Sequence, residues 1–144
     1  MRNAKAVNIR DLIASMSPMS IGGHPITVNI CEQGIETDPT TWGLYSPTTG
    51  QIILDHRQTD SCLASTLLHE VLHAAIETQG IVLPPGVEEH VVRVITNGLF
   101  QVFMANPKLI GILAIMCSQN ELARRNGGGR AKPACAKAHR PRRP

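Results

Sequence analysis

The chain's 144 residues leave room for one domain and an extension, and an apolar share of 42% suffices for one modest core. The formal charge of +3 hides an asymmetry: residues 1–120 carry six Lys/Arg against ten Asp/Glu (net −4), whereas residues 121–144 carry eight against Glu121 alone (net +7). Four widely spaced cysteines without a CxxC pair, charges interrupting the N-terminal apolar residues, and a longest apolar stretch (Leu109–Cys117) about half the ~20 residues of a membrane span argue against a disulfide scaffold, a secretory leader and a transmembrane helix, so a cytoplasmic protein without a membrane partner is expected.

Apolar residues at 7, 9, 12, 13 and 16 follow a helical period, and the spacing predicts a short helix ended by Pro18 and Gly22-Gly23. Pro25 to Cys31 is β-branched and alternating, a strand. Residues 32–40 read as a loop. A hairpin follows: Thr41 to Tyr45, a turn through Pro47 and Gly50, then Gln51 to Asp55. Asp60 or Ser61 is placed to cap a helix from about Cys62 to Thr78, stopped by Gly80. After the Pro84-Pro85-Gly86 turn, apolar residues recur from Val87 to Phe103 in the pattern of a buried helix that Pro107 ends. Residues 108–118 fit another short helix packed on the domain. Beyond about Arg124 the chain is too polar and basic to bury a core and is expected to be disordered. Cys62 and Cys117 read as small buried hydrophobes, and Trp42 with Gly43 as packing the hairpin onto the helix.

Within the second predicted helix, His69-Glu70-Val71-Leu72-His73 matches HExxH. One helical turn separates the histidines, so both imidazoles reach one ion from one face. Neutral imidazole is a good zinc ligand, and Glu70, next round the helix, is placed to act as general base on a water polarised by Zn²⁺. The motif alone is a weak signal. Its helical setting and its uncharged neighbours (Thr66-Leu67-Leu68, Val71-Leu72, Ala74-Ala75) strengthen it, because an apolar helix has little reason to bury His, Glu and His unless something satisfies them.

The third ligand must come from downstream. Ile76 and Gln79 stand where a metzincin would need Gly and His, which excludes that class. Glu88 and Glu89 open the next helix. Glu88 shares a face with Val91, Val92 and Ile95 and is the favoured ligand; Glu89 is the alternative, with a role orienting a ligand histidine. An acidic first turn complementing the helix dipole explains one of the two without a metal. Tyr45 and His90 are candidate donors to a transition-state oxyanion, beside the simpler readings of a hairpin packing residue and a helix-surface residue.

The stretch TLLHEVLHAAIETQG…LPPGVEEHVVRVITNGLFQVFMANPKL, with the hairpin ending QIILD before it, resembles the short gluzincin-like zinc metallopeptidases encoded by phages and prophages, and more distantly the ImmA/IrrE-like peptidases. The resemblance covers roughly residues 40–110. It implies an α+β minimal zincin: a small sheet whose hairpin edge lines a cleft, an HExxH helix and a backing helix. The expectation is thus a zinc-dependent peptidase domain over 1–120 and a disordered basic tail over 121–144, with a protein or peptide substrate. Two rivals are a zinc-stabilised regulatory module without catalysis, and a phage protein tethered non-specifically to nucleic acid by its basic tail.

Overall fold

The structure, a computed structural model, describes residues 8–35 and 40–126. The chain divides into two compact units, Met1–Val102 and Phe103–Pro144. Among the described residues are four helices and a four-stranded mixed sheet, so the α+β class expected from the sequence is what forms. The boundary expected near residue 120 falls inside a helix. The basic stretch expected to be disordered is helical as far as Asn126, and 127–144 lie outside the described residues.

Helix α1 (Ile9–Ser15) starts where the Asn8 side chain accepts the Arg10 backbone N–H. Strands β1 (Met19–Ile21), β2 (His24–Cys31), β3 (Gly43–Ser46) and β4 (Gln51–Asp55) follow, in sheet order β1-β2-β4-β3. The sequence reading missed β1, three residues that pair antiparallel with the start of β2. The hairpin β3–β4 forms as expected, and β4 also pairs parallel with β2. That leaves β3 as an edge strand.

Period-two alternation fixes the core side of the sheet. Ile26 and Val28 on β2 and Ile52 and Leu54 on β4 are buried on one face, where they meet Ile13 of α1 and Leu63 of α2 (Asp60–Thr78). Burial of each such side chain contributes about 1.5–3 kcal/mol. Val28 lies opposite Ile52 and Ile30 opposite Leu54, so the parallel register stacks the apolar pairs under the helices.

Helix α2 is defined sharply at both ends. Its cap is Thr59, not Asp60 or Ser61: Thr59 is extended and its hydroxyl accepts from the Cys62 N–H. At the far end Gly80 adopts a positive φ of 68°, its N–H goes to Glu77 O and the Ile81 N–H to Ile76 O, a Schellman stop. Buried polar groups then lock α2 to the sheet edge. Gln58 donates through Nε2 to Trp42 O and Asp55 O, and the Thr66 hydroxyl donates to Gln58 Oε1. From α1, Arg10 clamps the same loop through His56 O, Gln58 O and an ion pair with Asp60.

Helix α3 (Pro85–Ala105) follows a short link, residues 79–84. Its apolar pattern implied thorough burial, yet among its described side chains only Val92 and Thr96 are buried; Val87, Val94, Ile95, Val102 and Met104 are exposed. Helix α4 (Pro107–Asn126) is longer than expected, and Ile110, Ile112, Leu113, Ile115 and Met116 are exposed. Cys62 and Cys117 are exposed as well, against the expectation of small buried residues. Among the described residues no single helix is long and apolar enough to cross a membrane.

Candidate metal centre and cleft

α2, β3 and the first half of α3 enclose an open cleft of about 810 Å³, all of it within residues 40–97. Glu70 is buried in its wall. Edge strand β3 runs unusually close to α2 here, and Gly43 is what permits it. A Cβ at that position would stand 2.5 Å from Thr66 Cγ2 and 2.7 Å from Glu70 Oε1, so any side chain there would force Thr66 and Glu70 to move. Two residues on, the Tyr45 backbone lies near enough to the Glu70 carboxylate to favour its charged form. Burial lifts the Glu70 pKa to about 7, against the pull of His73 and of the Tyr45 backbone.

His69 and His73 face each other as their one-turn spacing requires, with Nε2 to Nε2 at 3.1 Å. Glu89 Oε2 lies 3.5 Å from His69 Nε2 and 3.4 Å from His73 Nε2. Three ligands at zinc bond lengths on a tetrahedron stand roughly 3.3–3.5 Å apart. The three donor atoms thus already form one face of such a tetrahedron, and His69, His73 and Glu89 could hold a metal ion. His69 is held toward its neutral form, with a lone pair to give, chiefly by burial. Burial would raise Glu89, but its hydrogen bond from Arg93 and the nearby His69, Arg93 and His73 charges outweigh that and keep the carboxylate below its usual range.

Of the two candidate ligands on α3, it is Glu89, the alternative in the sequence reading, that the structure groups with the two histidines. Glu88, favoured as the ligand, sits with Oε1 2.7 Å from His73 Nδ1, on the outer edge of the ring. Glu89 faces both Nε2 atoms. Burial was the guide to Glu88, and Glu88 is the more buried, its side chain 29% exposed against 43% for Glu89. The carboxylate nearer solvent is the one that faces both Nε2 atoms, and the more buried one lies against His73 Nδ1, placed to accept its proton. That hydrogen bond fixes the His73 tautomer with Nε2 turned inward.

The remaining candidates divide. Tyr45 lines the cleft; burial and then a hydrogen bond with Glu77 push its phenol up. His90 is exposed and does not line the cleft, since it stands about 100° round the helix from Glu89 and about 200° from Glu88. Trp42, expected to pack the hairpin onto the helix, is 49% exposed, lines the cleft and carries the Arg57 guanidinium 5.8 Å from its ring centre. Sequence reasoning missed Arg93, Thr96 and Asn97, which also line the cleft. A signal was present: Arg93 and Asn97 follow Glu89 at successive steps of four, on the same helical face.

Comparison of the chain with protein-family models, with curated proteins and with solved structures finds no significant similarity.

Proposed function

We propose that this chain is a zinc-dependent peptidase of the gluzincin-like kind, with His69, His73 and Glu89 as the metal ligands and Glu70 as general base. One observation carries the reading: three donor atoms from two helices stand 3.1, 3.4 and 3.5 Å apart, the spacing of zinc ligands, with a raised carboxylate beside them. Bound zinc would supply a polarised water and a Lewis acid for the substrate carbonyl.

The chain's own residues do the rest. Glu70, near pKa 7 in the metal-free chain, suits accepting a proton from water and returning it to the leaving amine. Its position is held by burial in the cleft wall and by the close approach at Gly43. Glu88 keeps His73 in the tautomer that can ligate. β3, with one edge paired to β4 and the other toward α2, offers a rail for a peptide bound as an added strand. Glu70 also argues against a purely structural site, which has no use for a buried acid on the open side of the metal.

The test is metal content and peptide hydrolysis of purified protein. Wild type should hold about one zinc per chain, His69→Ala none, and Glu70→Gln should keep its zinc while losing about 10²–10⁴-fold in rate. Zinc retained in His69→Ala, or full activity in Glu70→Gln, refutes the assignment.

A further inference from the structure

The cleft is not uniform along its length. Since α3 turns back on α2 through the short link at 79–84, residues after Glu89 on α3 lie beside residues before His69 on α2. One end of the cleft is therefore lined by Ser65, Arg93, Thr96 and Asn97, and the other by Glu77 with Ile81 and Leu83. Arg93 is the one Lys or Arg among the described lining residues.

Three features at the first end point to an anionic ligand. Arg93 gives Nη2 to Glu89 Oε1 at 2.8 Å, yet its side chain is 64% exposed and a guanidinium has five N–H donors. Asn97, one turn on, adds an amide to the same wall. Thr96, between them, is 3% exposed and its hydroxyl has no hydrogen-bond partner. An unmet buried hydroxyl costs about 1–3 kcal/mol; this oxygen is shut off from the cleft, so a ligand would reach it once the Thr96 side chain turns about χ1. The other oxygen of Glu89 faces the two Nε2 atoms, so Arg93 stands one carboxylate group away from the ion position.

We propose that Arg93, Thr96 and Asn97 form a carboxylate subsite, so that the substrate is a peptide carrying an acidic side chain, or its own C-terminal carboxylate, next to the bond cleaved. This rests on the peptidase reading and adds the substrate class to it. Arginine suits the task because its planar fork matches two carboxylate oxygens. Glu89 does not saturate it, since the bond to Oε1 uses Nη2 alone and the guanidinium carries further N–H donors on a side chain that is 64% exposed.

The experiment uses the full chain, with and without zinc, and synthetic peptide pools of one length. The pools contain or lack Asp and Glu, each with a free or an amidated C-terminus. Binding is read from the emission of Trp42, the chain's only tryptophan and a cleft residue, and cleavage positions from mass spectrometry. The pool lacking every carboxylate should bind about tenfold to a hundredfold more weakly than its acidic counterparts. Cleavage should fall at a fixed distance from an acidic residue or from a free C-terminus, and which pool succeeds names the source. Asn97→Ala should flatten the preference while zinc stays near one per chain, and Arg93→Gln should flatten it in the zinc-free chain as well, where its lost hydrogen bond to Glu89 has no metal to weaken. Thr96→Val should weaken it while raising the melting temperature, because it deletes an unmet polar group. Equal binding of all pools by wild type, or a preference that survives both Arg93→Gln and Asn97→Ala, overturns the subsite. Failure to take up zinc instead overturns the peptidase reading, and the Trp42 titration of the zinc-free chain still decides the subsite.

Discussion

Helices α2 and α3 both serve the candidate site, and they are held in opposite ways. α2 is capped at both ends, buries Leu63 and Ala74, and is tied to the sheet through Gln58 and Thr66. α3 buries Val92 and Thr96, exposes much of its apolar surface, and the hydrogen bonds and ion pairs described between it and α2 run through Glu88, Glu89 and the two histidines. The imidazoles and the proposed base thus stand on a rigid element, while the proposed carboxylate ligand, the second carboxylate and the proposed specificity residues stand on one fastened mainly at the site itself. A site so divided can keep its proton chemistry fixed while its third ligand and substrate contacts are adjusted.

The largest effect that sharpens this contrast is on stability. Leu63→Ala removes a fully buried side chain under the sheet and should cost about 2–5 kcal/mol, with or without metal, read from denaturant unfolding. A loss well under 1 kcal/mol would mean that α2 is not the rigid partner. Next is the response to metal. Because zinc would bridge α2 and α3, loading at a hundredfold excess over Kd should stabilise the fold by about 2.7 kcal/mol, seen as a raised melting temperature that a chelator reverses. If protection from hydrogen exchange increases in α2 but not in α3, the picture of α3 as the part fastened by the site is wrong.

How much of this could be read from the sequence follows the same division. α2 and the hairpin were legible because period, turn residues and HExxH agree over a short stretch, and the α+β class followed. α3 was legible as a helix but not in its packing. Its apolar residues cover more than one side, and periodicity alone does not say which side meets a partner. Glu88 and Glu89 differ by one step of about 100° round the helix, so their order depends on how α3 crosses α2, which no local pattern encodes. Gln58 gave no signal, being a polar residue in a loop whose role exists only once Trp42 and Thr66 are brought to it. Gly43 was visible as part of the hairpin, but the need for a residue without a Cβ appears only with Glu70 beside it.

The two carboxylates on α3 give the next test. Glu88→Gln removes the negative acceptor for His73 Nδ1 and should weaken zinc about 10–100-fold, the usual effect of losing a partner behind a ligand histidine. Glu89→Gln removes a charged ligand and should weaken it more. Competition with a chromophoric chelator ranks the two. If Glu88→Gln proves the more damaging, the ligand order inferred from the geometry is reversed.

The smallest effect concerns a group on the sheet side, remote from α3. Asp55 is fully buried at the end of β4, and Arg57 binds it through its backbone N–H and its guanidinium. Those hydrogen bonds, with the Arg57 charge, bring its pKa down from 3.8 to about 2. A carboxylate lowered on folding adds stability that is fully present above its unfolded pKa and is lost as pH falls toward the folded one. The window is therefore about pH 4 down to pH 2, and the zinc-free chain should lose stability through it. Asp55→Asn should lower stability at neutral pH and flatten the acid limb, while Glu70, raised to about 7, titrates well above that window. An acid limb of the same slope in Asp55→Asn would place the acid sensitivity elsewhere, and the β4–α2 corner would then owe its order to Gln58 and Arg10 rather than to the Asp55–Arg57 pair.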